Sequence, residues 1–138
     1  SGIFTAQQET LELPRGSEVI AYATAEGLYK HDPEFALRGI RERVKRGIKS
    51  RALAADTDET RKYTDRDKQH LRVTRLVPAD KFPFTNEINI WGNKTSIMSV
   101  HGDLLAVIIE SETVAATQRS IFELAWLGAE RFNQQSAK

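Results

Sequence analysis

The way extended segments are joined constrains this chain most. Residues Asn86–Trp91 alternate, with Ile88 and Ile90 on one face and Glu87, Asn89 and Trp91 on the other. Gly92-Asn93-Lys94 is a tight turn, in the order Gly-Asn rather than the favoured Asn-Gly. Residues 95–100 return as a strand, His101-Gly102-Asp103 is a second tight turn, and residues 104–109 form a third strand. Turns this short join antiparallel neighbours. Residues 17–23, 50–55 and 71–77 also read as strands, but helical segments separate them, and such crossovers join parallel strands. The expected architecture is therefore α/β: a mixed β-sheet with helices on both faces, a late β-meander and a long C-terminal helix.

The helices carry their own signals. Residues 3–13 read as a short amphipathic helix with Ile3, Phe4, Leu11 and Leu13 as its apolar side, ended by Pro14-Arg15-Gly16. Asp32 is a good N-cap, Pro33 fits the first helical position, and Glu34 complements the helix start. In helix 34–48, Leu37, Ile40, Val44 and Ile48 make one apolar stripe. Arg38, Arg41, Arg43, Lys45, Arg46 and Lys49 lie opposite, and Gly47 suits a C-terminal cap. Residues 57–70 are very polar and read as a surface helix or turn. Ser111 caps the last helix, whose inward stripe reads as Val114, Thr117, Ile121, Leu124, Ala125 and Leu127, with Phe132 near the end. Phe122 and Trp126 lie outside that stripe. They either form a dimer surface or pack beneath the first helix.

The length of 138 residues fits one domain, taken as residues 2–132 with a polar tail at 133–138. The net charge is +1, from 20 basic and 19 acidic residues, which argues against a domain built mainly to hold nucleic acid. The absence of cysteine excludes disulfides, thiolate metal sites and a cysteine nucleophile, and agrees with a reducing cytoplasm. The longest apolar run, 104–109, has six residues against the roughly 18 that span a bilayer. No signal peptide is visible, so no membrane association is expected and the cytoplasm is the expected location. The chain opens on Ser1-Gly2 without methionine, which reads as a fragment or a processed protein.

Few residues point to chemistry. His31, His70 and His101 have no metal-ligand spacing and read as exposed polar residues. No glycine-rich phosphate loop and no Gly-x-Ser-x-Gly elbow is present. No catalytic residue, metal site or cofactor is expected. Asp56, at a strand end, stands where α/β proteins place functional carboxylates, or it caps the segment after it. The basic face of helix 34–48 is either a nucleic-acid contact or a solvated surface. Trp91 beside Asn89 and Glu87 is either a ligand wall or simply core.

Three segments carry a family resemblance. They are Lys81-Phe-Pro-Phe-Thr-Asn-Glu-Ile-Asn-Ile-Trp-Gly-Asn-Lys94, Leu105-Ala-Val-Ile-Ile-Glu-Ser111 and Thr117-Gln-Arg-Ser-Ile-Phe-Glu-Leu-Ala-Trp126. With Gly2-Ile3 and Glu18-Val-Ile-Ala-Tyr-Ala23, they resemble the C-terminal effector domain of TrmB-type transcriptional regulators. The resemblance implies a phospholipase D-like α/β half. Active members of that superfamily carry His-x-Lys-x₄-Asp before a glycine turn. With Gly92 as that turn, Phe84, Asn86 and Trp91 occupy the three positions. A covalent phospho-histidine cannot form there.

The resemblance thus implies a non-catalytic ligand-sensing and dimerisation domain, with the DNA-binding winged helix absent from this chain. Its ligand would be a small-molecule effector, a sugar or a phosphorylated metabolite, lined by Tyr22, Asp56, Asn86, Asn89 and Trp91 near the carboxyl ends of the strands. The partners implied are a second copy in a homodimer, and DNA only through the missing N-terminal domain. The alternatives are a diverged phosphodiesterase half-site or a stand-alone interaction module using helix 34–48.

Overall fold

The computed structural model describes residues 2–24, 30, 32–99 and 105–133. Its strands are β1 (Glu18–Ala23), β2 (Lys49–Asp56), β3 (Arg72–Pro78), β4 (Asn86–Trp91), β5 (Lys94–Ser99) and β6 (Leu105–Glu110). They form one sheet in the order β3-β2-β1-β4-β5-β6. β1, β2 and β3 run parallel, β4 joins β1 antiparallel with Ile90 opposite Ile20, and β4, β5 and β6 form the meander. The mixed sheet follows the lengths of the connections, as the sequence implies.

The helices are α1 (Gly2–Leu11), α2 (Pro33–Lys45), α3 (Asp58–Thr64) and α4 (Glu112–Asn133). Their ends are set by local chemistry. Asp32 Oδ1 accepts from the Phe35 amide at 3.1 Å, and Pro33 opens α2. Gly47, at φ +69°, closes α2. The Ile48 amide bonds the Arg43 carbonyl at 3.1 Å and the Gly47 amide bonds that of Val44 at 3.0 Å, a Schellman ending that satisfies two orphan carbonyls. Thr57 caps α3 through reciprocal bonds with Thr60, and Ser111 Oγ accepts from the Val114 amide at 3.2 Å. At the β4–β5 turn Gly92 takes φ +52°, as the first central residue of a type II′ hairpin does.

α1 and α2 cover one face of the sheet and α4 crosses the other. The main core lies under α4. Ile20, Leu53, Val77 and Ile90 of the strands meet Ala115, Phe122, Trp126 and Ala129 of the helix. Phe122 is fully buried, its ring stacked 5.7 Å from Trp126 and edge-on to Tyr22 at 5.5 Å. Arg51 of β2 lies over both the Phe122 and Trp126 rings. It binds Glu18 twice at 3.0 Å and also binds Glu123 of α4. Arg75 Nη1 donates to the Trp126 carbonyl at 2.6 Å.

This largely reverses the face expected of α4, of whose stripe Ala125 still packs against the core. Phe122 and Trp126 point inward onto the sheet, not outward and not beneath α1, while Ile121, Leu124 and Leu127 face outward. The helix carries two regular apolar stripes, and the one with the larger aromatic area is buried. Other expectations shift less. In α1, Ile3, Ala6 and Leu11 are buried and Phe4 is exposed. In α2, Leu37, Ile40 and Val44 are half-buried, and Ile48 is fully buried beyond the helix end. The expected turn at His101-Gly102-Asp103 and the tail from residue 134 lie outside the described residues.

Phe122→Ala should cost about 3–5 kcal/mol, because the void is enclosed by α4 and four strands. Urea denaturation reads this directly. A larger loss for Ile121→Ala than for Phe122→Ala would mean that α4 sits the other way round.

Candidate functional site

The face under α1 and α2 is built from small side chains. Ala21 and Ala23 of β1, Ser50 and Ala52 of β2 and Ser96 of β5 all face it. The two helices meet closely, since Gly39 leaves room for Gln7, whose Nε2 would stand 2.0 Å from any added Cβ. That amide also donates to the Phe35 carbonyl at 3.4 Å. The helices are thus held over a surface too shallow to fill the space beneath them. A cavity of about 190 Å³ remains.

β4 supplies its polar wall. Glu87, Asn89 and Trp91 share the face, and at a strand rise of ~3.3 Å per residue Glu87 and Trp91 stand about 13 Å apart. Trp91 is 2% exposed and packs with Ala6, Val19 and Ile48 at one end. At the other end Glu87 accepts from Asn89 Nδ2 at 3.4 Å and from the Thr24 backbone amide. Burial pushes the Glu87 carboxyl above the usual carboxylate range, and these two hydrogen bonds only partly oppose it. Ser96 Oγ and Thr24 Oγ1 are buried on the same wall without a hydrogen-bond partner from the protein.

Among the described residues one cation, Arg43, lines the cavity, and it is committed elsewhere. Arg43 reaches in from α2, donating from Nη1 to the Ile48 carbonyl at 2.7 Å and from Nη2 to the His70 carbonyl at 2.5 Å. Burial lowers its pKa. Tyr63 of α3 lines the cavity, and burial raises the pKa of its phenol. The Arg72 guanidinium covers the Tyr63 ring at 3.4 Å from its centroid. Arg72 is itself buried, paired with Asp67 Oδ1 at 2.7 Å and bonded to the Tyr63 carbonyl at 2.7 Å. His70 is half-buried, not exposed, and burial, then Arg72 and Arg43, push its pKa down.

Among the sequence candidates, the structure brings Asn89 and Trp91 together on this cavity. Tyr22 and Asn86 stand on the opposite face of the sheet. Tyr22 packs edge-on to Phe84 at 6.0 Å, and Asn86 is exposed at the start of β4. Asp56, at the end of β2, binds Arg61 twice at 2.6 and 2.9 Å, which holds its carboxyl below the ordinary value. Thr57, not Asp56, caps α3. The cavity runs under the helices along the strands, from Val19 of β1 and Ser50 of β2 to Ala23 and Thr24 at the carboxyl end of β1. Arg43 leaves the basic outer face of helix 34–48, while Arg38, Arg41 and Lys45 stay on it. His31 and His101 lie outside the described residues.

Sequence reasoning missed Tyr63 and Arg43 as cavity residues. Tyr63 is an isolated aromatic in a polar segment, and Arg43 is one cation among several. Glu87 carried a signal, its place on the Asn89 and Trp91 face of β4. Among the described residues no group of three or more His, Asp or Glu side chains is placed to hold a metal ion. None of the described helices is long and apolar enough to cross a membrane.

The fold is a mixed six-stranded sheet between helical layers, ended by a long helix. It is shared with TrmBL2, an archaeal chromatin protein whose structure shows a mode of DNA binding. The TM-score is 0.57 at 17% sequence identity, over 92% of this chain and 49% of that one. The likeness is one of fold, and this chain spans about half the length of that protein. No protein-family model and no curated protein matches the sequence.

Because folding raises the pKa of Glu87, its contribution is favourable at low pH and is lost as pH rises through the raised value. Glu87→Gln, which keeps the shape but never ionises, should therefore be more stable than the parent at neutral pH. The gap should close as pH falls into the ordinary carboxylate range. Thermal melts across pH check this, and a gap that grows on acidification would contradict it.

Proposed function

We propose that this chain is the ligand-sensing and dimerisation domain of a TrmB-like transcriptional regulator, acting in the cytoplasm and without catalysis. The fold supports the regulatory reading, since a DNA-binding chromatin protein shares it. The observation that carries the sensing role is the partly polar cavity walled by Glu87, Asn89 and Trp91. A small effector, a sugar or a phosphorylated metabolite, would bind there and bias how the domain pairs. DNA would be read by a winged helix elsewhere in the regulator. The phosphodiesterase alternative has little support. Phe84 and Asn86 lie on the α4 side of the sheet and Trp91 on the other, so the three motif positions do not converge. A thermal-shift screen with sugars and phosphorylated metabolites should find compounds that stabilise the parent but not Asn89→Ala. No stabilising compound, or turnover of a chromogenic phosphodiester, would overturn this reading.

Dimerisation is supported by the outer stripe of α4. Ile121, Leu124 and Leu127 are 49%, 73% and 66% exposed, far more than a helix buried on both sides would show. α4 crosses the sheet diagonally, from its Ser111 cap beside β6 to Asn133, whose side chain clasps the Leu76 backbone of β3. Ile97, Leu105 and Val107 are left open on the same side of the sheet. An apolar patch of this extent marks a contact surface, and a two-fold pairing of α4 with its copy would bury it against itself. Light scattering should give a dimer for the parent and a monomer for Leu124→Glu, with the melt largely kept. A monomeric parent would refute the dimer.

A further inference from the structure

We propose that the cavity takes a small molecule bearing a primary ammonium group, held by Glu87. The proposal rests on the ligand-sensing reading and changes the ligand class, an amine in place of a sugar or a phosphorylated metabolite. Glu87 is a half-buried acid on the cavity wall, and among the described residues the hydrogen bonds it accepts come from neutral groups, the Asn89 amide and the Thr24 backbone amide. A buried carboxylate without a cation is costly, and a cation that enters the site relieves that cost.

The nearby guanidiniums do not fill this role. Arg43 faces Tyr63 from α2, and two of its nitrogens are engaged by the Ile48 and His70 carbonyls. Arg72 is held by Asp67 and stacked on the Tyr63 ring. Tyr63, from α3, faces Glu87 as a neutral phenol whose pKa is raised further by burial. An ammonium has three donors and no acceptor, and the wall offers acceptors to match. Thr24 Oγ1 lies on the residue already bonded to Glu87 and has no protein partner. Ser96 is fully buried, opposite Asn89 in register, and its Oγ also has no protein partner, so it can serve a polar group further along. Between these points the walls are Ala21, Ala23, Ala52 and Met98, which suit an apolar body. A phosphate or carboxylate in the same place would face Glu87 as a like charge.

The test uses benzylammonium, its isostere benzyl alcohol and the anion benzoate, with n-butylammonium as an aliphatic probe, in calorimetry and thermal shift at neutral pH. The ammonium compounds should bind and stabilise the parent, and Glu87→Gln should weaken them by about tenfold or more. Benzoate or benzyl alcohol binding as well as benzylammonium would overturn the proposal, as would unchanged ammonium binding by Glu87→Gln. A sugar or phosphate that binds in an Asn89-dependent way while neither ammonium probe does would overturn the ammonium class and leave ligand sensing standing. Binding by no compound of either kind would overturn both.

Discussion

Side-chain volume differs between the two faces of the same strands, and the rest of the structure depends on that difference. Toward α4, β1, β2 and β4 present Ile20, Leu53 and Ile90, which interlock with Phe122 and Trp126. Toward α1 and α2 the same strands present Ala21, Ala23, Ala52 and Asn89. Protein interiors pack to crystal-like density wherever side chains can interdigitate. One face therefore closes into a dry core. The other keeps a cavity, because methyl groups and hydroxyls cannot reach helices that already rest on each other at Gly39 and Gln7. Stability comes from one face, and the proposed ligand site lies on the other.

Arginines hold the two layers in register. On the packed side Arg51 ties β1 to α4 through Glu18 and Glu123 and lies over two aromatic rings. On the cavity side Arg43 and Arg72 are turned inward and bonded to carbonyls at the ends of α2 and α3 and of the turn before β3. These bonds satisfy backbone groups that the turns leave open. They also leave neither guanidinium paired with Glu87.

Much of the layout is legible in the residues. The β4 alternation separates Ile88 and Ile90 from Asn89 and Trp91, and the sheet keeps them on opposite faces. Asp32, Pro33, Gly47 and Ser111 mark helix ends because capping is local chemistry. The site was legible only along β4. Tyr22 and Asn86 were grouped with Asn89 and Trp91 by residue type, yet parity along each strand places them across the sheet. Tyr63 and Arg43 reach the cavity from α3 and α2, at sequence distances where no periodicity operates.

By itself the sequence determined the elements, the helix ends at Asp32, Gly47 and Ser111, the change from parallel to antiparallel pairing and the two-sidedness of β4, since all of these follow from neighbours a few residues apart. Tertiary structure decided which stripe of α4 is buried, because two stripes of equal regularity compete and only contact with Ile20, Leu53 and Arg51 separates them. It also decided that Arg43 points inward and is held by backbone carbonyls rather than by Glu87. The groups that settle those questions, the His70 carbonyl and the walls of the cavity, arrive only when distant segments pack together.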